Sequence, residues 1–138
     1  MAEGIGTLVI GKNPLWKQDV HLGRRTNQQF VSLPHARFID MLTYKAQLVG
    51  IRVVVTEESY TSKASFLDGD AIPVFAPAHK AAHSFSGRRV KRGLYRAADG
   101  RHSNADVNGA DNIVRKVAPD AFAQGSSGCV VHPVRLAA

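Results

Sequence analysis

Three groups of residues have types and spacing that could do chemistry. The first is Asn104-Ala105-Asp106-Val107-Asn108-Gly109-Ala110-Asp111-Asn112-Ile113. Asp106 stands between Ala105 and Val107, with the small pair Gly109-Ala110 one turn on. A carboxylate at a helix entrance can hold a metal ion. It can equally cap the helix, because free N–H groups and the positive dipole end lie there. The second group is Glu57-Glu58, directly after a β-branched run, with Tyr60-Thr61-Ser62-Lys63 beyond it. Adjacent acids at a strand end point to opposite faces, so one of the two could face a site. Both could instead be solvated or pair with nearby bases. The hydroxyls and ammonium of Tyr60 to Lys63 suit phosphate contacts, or an ordinary turn. The third group is the basic segment from Gly87 to Arg101. Its six cations, Arg88, Arg89, Lys91, Arg92, Arg96 and Arg101, face one acid, Asp99, giving +5 of the chain's net +7.

The elements that must position these groups are legible from periodicity. Ile5 to Ile10 is apolar and β-branched and reads as a short buried strand, closed by Gly11. Ser32-Leu33-Pro34 is a helix-start signal. Phe38, Met41, Leu42, Lys45 and Val49, widened by Ile39 and Ala46, keep helical spacing and read as a core stripe. The spacing predicts a helix over Pro34 to Val49, stopped by Gly50. Ile51 to Val55 reads as a strand buried on both faces, as in a parallel sheet. Strand, helix and strand make a βαβ unit, whose ligand sites lie beyond the carboxyl ends of the strands. Gly11 and Glu57-Glu58 fall there. Residues 64–86 have no clear period and read as a loop. The basic segment, with Asp99-Gly100 as a turn signal, suggests a β-ribbon. Asp106 to Val117 reads as the last helix, with Val107, Ala110, Ile113, Val114 and Val117 as its stripe and Pro119 as its stop. The expected organisation is one α/β domain over residues 1–120, with a basic insertion at about 64–103, and a flexible tail over 121–138.

The bulk numbers limit function. At 138 residues the chain has the size of one domain. A net charge of +7 and a pI near 10.0 favour a polyanionic partner. A single cysteine, Cys129, excludes an internal disulfide and a multi-cysteine zinc site. No apolar run approaches a membrane span, and Glu3 with the short run Leu8-Val9-Ile10 argues against a signal peptide. The expected location is the cytoplasm, with no membrane partner. Trp16 lies among Lys12, Lys17, Arg24 and Arg25. It could stack on a base or plug a loop onto the core. His79 and His83 have the spacing of a helical zinc pair, but no Glu follows His79 and the local sequence lacks a helical period.

The D-x-N-G-A-x-N-I pattern from Asp106 to Ile113, with Tyr60-Thr61-Ser62-Lys63 upstream, resembles the C-terminal part of the TnpB/OrfB proteins of insertion-sequence transposons. These are relatives of the type V CRISPR effectors. The resemblance runs from about Ile5 to Val117 and implies part of a RuvC-like, ribonuclease-H-type nuclease domain. In such a domain several carboxylates hold two divalent metals roughly 4 Å apart, and oxygen ligands suit Mg²⁺ or Mn²⁺. The resemblance makes Asp106 the last acid of that centre.

The sequence departs from the family pattern in three ways. Only Met1 to Gly4 precede the first visible strand, so the opening strand with its catalytic Asp is expected to be missing. Gly11 stands where a later strand usually ends in Glu. Glu57 or Glu58 could supply a relocated acid, with Glu58 as the metal ligand beside Asp106. The four zinc-ribbon cysteines are absent, Ala64 and Ser65 standing where the first is expected, so no zinc is expected there.

The resemblance implies a fragment of an RNA-guided, metal-dependent DNA endonuclease, inactive alone. Its partners would be DNA, a guide RNA, and a second chain supplying the missing part of the fold. The expected nucleic-acid contacts are Arg88, Arg89, Lys91, Arg92, Arg96 and Lys63, with Tyr95 stacking on an unpaired base. The alternatives are a non-catalytic DNA- or RNA-binding remnant, repressor-like in character, and a generic basic α/β domain.

Overall fold

The computed structural model describes residues 4–13, 35–76 and 82–122. The expectations on Trp16, Lys17, Arg24, Arg25, Ser32 to Pro34, His79, Cys129 and the tail after Phe122 lie outside the described residues. The fold is mixed α/β, and the chain divides into two compact units, Met1–Thr56 and Glu57–Ala138.

The first unit holds strand β1 (Thr7–Lys12), helix α1 (His35–Leu48) and nearly all of strand β2 (Arg52–Glu57). The strands pair in a two-stranded sheet. Arg52 N–H donates to Gly6 C=O at 3.0 Å. Both strands run forward from that bond, so the pairing is parallel. The ladder therefore begins later than the apolar run suggests, and Gly11 lies inside β1 rather than at its end. α1 stops where expected. Gly50 takes φ +74°, Gly50 N–H donates to Gln47 C=O, and Ile51 N–H donates to Ala46 C=O. These are the two bonds of a Schellman cap, which needs a left-handed residue between them.

The expected core stripe of α1 is corrected. Ala46 is buried, and Ile39 and Leu42 are half-buried. Phe38, Met41 and Val49 are exposed, as are Tyr44 and Leu48. β2 is not buried on both faces either, since Val55 is exposed. The physical reason is size. Among the described residues this sheet has two strands, too little surface to cover a helix stripe and a second sheet face.

The second unit is built from a turn-rich loop, a ribbon and a helix. The loop follows β2 and makes successive turns over residues 59–69. Strands β3 (Arg88–Lys91), β4 (Leu94–Arg96) and β5 (His102–Asn104) form an antiparallel ribbon. Lys91 is opposite Leu94, so Arg92-Gly93 is a two-residue hairpin loop, with Gly93 at φ +76°. Helix α2 (Ala105–Val117) follows β5 without a break. A 3₁₀ turn, Pro119–Phe122, closes the unit and sets Phe122 edge-on against Phe66 at 4.9 Å.

The buried face of α2 is not the apolar stripe. Val107, Ile113, Val114 and Val117 are half-buried and Ala110 is exposed. The residues at the centre of the interface are Ala105, Asn108, Gly109 and Asn112. Asn108 and Asn112 are one turn apart on one face and both are 0% exposed. Asn108 Nδ2 donates to Ala64 C=O at 2.9 Å, and its Oδ1 accepts from Phe66 N–H at 2.9 Å. Asn112 Nδ2 donates to Thr61 C=O at 3.0 Å and Ala64 C=O at 2.8 Å. Arg115 donates to Asn112 Oδ1 at 3.0 Å. Two side-chain amides thus satisfy the backbone of a loop that has no ladder of its own, as buried peptide groups require.

Candidate nucleic-acid interface

Asp106 is on the first turn of α2, and its side chain is 82% exposed. The cap is a different residue. Asn104 Oδ1 accepts from Asp106 N–H at 2.8 Å and from Val107 N–H at 3.1 Å. The Asp106 carboxylate is thereby left free of the capping role. Its charged neighbour is Arg89 of β3, 3.5 Å away and itself 45% exposed. So open a pair contributes little stability.

Glu57 is elsewhere. Its carboxylate accepts from Lys116 Nζ and from Ser59 N–H. Partial burial raises its pKa, but the bonds from Lys116 and Ser59 outweigh that and hold it below the usual 4.5. Lys116 lies ten residues along α2 from Asp106, a rise of about 15 Å. Glu57 is therefore occupied near one end of the helix while Asp106 stands at the other. Glu58 is half-buried, and its backbone C=O accepts from the Thr61 hydroxyl at 2.8 Å. Among the described residues no three His, Cys, Asp or Glu side chains gather as metal ligands would. These residues do not by themselves fit a two-metal centre.

Thr61 is buried and its hydroxyl is used within the loop. Tyr60 adopts φ +62°, and its ring packs edge-on against His83 at 4.8 Å. Ser62 and Lys63 are exposed.

Ala64 and Ser65, where the first zinc-ribbon cysteine would be expected, are fully buried at 0% exposure. Carboxylates fasten the loops around them. Asp70 accepts from Ser65 N–H at 2.8 Å and from both the N–H and the hydroxyl of Ser86, just before β3. Burial raises its carboxyl, but these bonds and the nearby Arg115 bring it below 3.8. Asp68 accepts from Ala98 N–H, just after β4, at 2.9 Å. Two acids on one short loop thus tie both flanks of the β3–β4 hairpin.

The ribbon presents Arg88, Arg89, Lys91, Arg92 and Arg96 to solvent. Arg101 is exposed too but pairs with Asp99. Tyr95 is corrected. It is 1% exposed, its hydroxyl donates to Lys63 C=O at 2.7 Å, and burial, with Asp70 nearby, pushes its pKa up to about 12. It cannot stack on a base. Strand alternation turns Tyr95 inward while Arg96 faces out. Gly87 is required by that ring, since a Cβ there would lie 2.6 Å from Tyr95 Cε1 and 2.7 Å from Arg96 O.

A basic ribbon fastened to a helix that exposes an acid beside it defines a surface suited to polyanions. The family model described as "Cas12f1-like, TNB domain" matches residues 35–113, more than half of the chain, and the chain belongs to that family. The membership makes it a TnpB- and Cas12-related protein of a nucleic-acid-binding, RNA-guided-nuclease type. The match ends on Ile113, so it includes Asp106, Asn108 and Asn112. No curated protein and no solved structure matches the chain. No helix of the described residues is long and apolar enough to cross a membrane.

Proposed function

We propose that the chain is a TnpB-like protein of the transposon-encoded OrfB type. It carries the last-acid portion of a RuvC-like nuclease domain, binds nucleic acid through its ribbon, and does not cut alone. The observation that carries this reading is the pairing of an exposed, uncapping Asp106 with Arg89 of a ribbon that turns five cations to solvent. The reaction of such a nuclease is RNA-guided cleavage of DNA phosphodiesters. Asp106 would hold Mg²⁺ or Mn²⁺ only when carboxylates from a second chain or segment join it, because Glu57 is committed to Lys116. Guide RNA belongs to the same proposal. The second reading, a non-catalytic DNA- or RNA-binding remnant, draws support from the lack of gathered metal ligands among the described residues.

The test is a salt series. Arg89, Lys91 and Arg92 are replaced together by Ser, and binding to single- and double-stranded DNA is followed by fluorescence anisotropy. Each lost phosphate contact should make the log–log slope shallower by roughly 0.7 to 0.9. An unchanged slope and affinity would mean that the ribbon is not the nucleic-acid surface.

A further inference from the structure

Arg88 and Arg96 are directly opposite each other across the β3–β4 pair, so their side chains leave the same face. Like charges in that position repel and destabilise a ribbon. Among the described residues neither has an ion-pair partner. The three nearby acids are engaged elsewhere: Asp70 by Ser65 and Ser86, Asp68 by Ala98 N–H, and Asp99 by Arg101. Both arginines line one open cleft of about 360 Å³, together with Phe85, Ser86, Gly87, Ala97 and Ala98. Arg96 Nη2 lies against the Gly100 turn, where an added Cβ would sit 3.9 Å away.

From this arrangement we infer that Arg88 and Arg96 jointly seat one phosphodiester of a single nucleic-acid strand in the cleft between them. The inference rests on the nucleic-acid reading above and narrows it to one contact. Two arginines lining one recess offer several guanidinium N–H donors, which suit a phosphate. An anion between them also removes their mutual repulsion. A duplex presents its phosphates on a convex rod. A recess walled by Phe85 and Ala98 instead admits a flexible strand, whose nucleotide can turn into it.

The test uses Arg88→Gln, Arg96→Gln and the double variant. Retained folding is checked by circular dichroism. Single-stranded DNA binding is measured across a salt series. If one phosphate is shared, either single variant loses it, and the double variant loses little more. Each of the three should then show a slope shallower by about 0.7, one contact's worth. Affinity losses that multiply in the double variant would mean two separate contacts and overturn the shared seat. So would losses on duplex DNA as large as those on the single strand. Inorganic phosphate supplies a second readout. It should shift the amide resonances of Gly87 and Ala97 saturably in the unmodified protein and not in the double variant. Normal DNA binding by the double variant overturns the seat while leaving the proposed function standing. If the unmodified protein binds no DNA, the proposed function fails. The nucleic-acid assignment of the seat then fails with it, whatever inorganic phosphate does.

Discussion

The two faces of α2 contrast sharply. One carries Asn108 and Asn112, uncharged, fully buried and bonded to a loop backbone. The other carries Asp106, exposed and, among the described residues, in a loose pair with Arg89. All three residues belong to one short motif, yet they do different work. The asparagines hold the loop after β2 against the helix. The acid is presented outward and contributes little to holding anything. The residues that hold the loop are buried and satisfied, and the acid beside them on the motif is neither.

Removing an asparagine should break this contrast most strongly. Asn112→Ala would strand the carbonyl of Thr61 and weaken the bonding of Ala64 and Arg115. Each buried group left unpaired costs about 1–3 kcal/mol, so a loss of roughly 3 kcal/mol or more is expected in urea unfolding. A loss below about 1 kcal/mol would mean that the amide is not structural. Gly87→Ala comes next. Its Cβ would meet the Tyr95 ring and the Arg96 carbonyl. Overpacking of this kind costs typically about 1–3 kcal/mol, readable as a lower Tm.

A smaller effect concerns a second acid on the same helix. Among the described residues Asp111 Oδ2 is buried without a partner, and burial raises the pKa to about 6. The folded state therefore holds a proton that the unfolded state, near 3.8, has lost. Stability should fall as pH rises between those values and stay lower above them. Asp111→Asn should raise Tm at neutral pH and leave it unchanged at pH values below the unfolded one. Glu57 and Asp70 act in the opposite sense. Their pKa values are lowered, so their contribution is present at neutral pH and lost as pH falls through the folded values. The smallest effect is Asp106→Ala. With its side chain exposed, the change should stay within about 0.5 kcal/mol in the same unfolding measurement.

The sequence revealed the elements better than their roles. β-branched runs marked β1 and β2, and the 3.6-residue period with Gly50 marked α1 and its end. The buried asparagines were not legible, because periodicity counts apolar residues and a satisfied amide looks polar. Loop carbonyls that need donors leave no mark in composition. Tyr95 could have been placed. It alternates with Arg96 along β4, but its position among cations drew attention to stacking instead. The exposed stripe of α1 shows the converse limit: an apolar period signals a face that can be buried, not how much surface is there to cover it.

On the proposed function, this chain binds a nucleic-acid strand without cutting it, because among the described residues no further carboxylates gather with Asp106. Purified protein is incubated with labelled single-stranded DNA and Mg²⁺ or Mn²⁺, and complex formation and strand length are read from parallel gels. The expected result is a salt-sensitive complex with the strand intact. Cleavage that disappears in Asp106→Ala would contradict it.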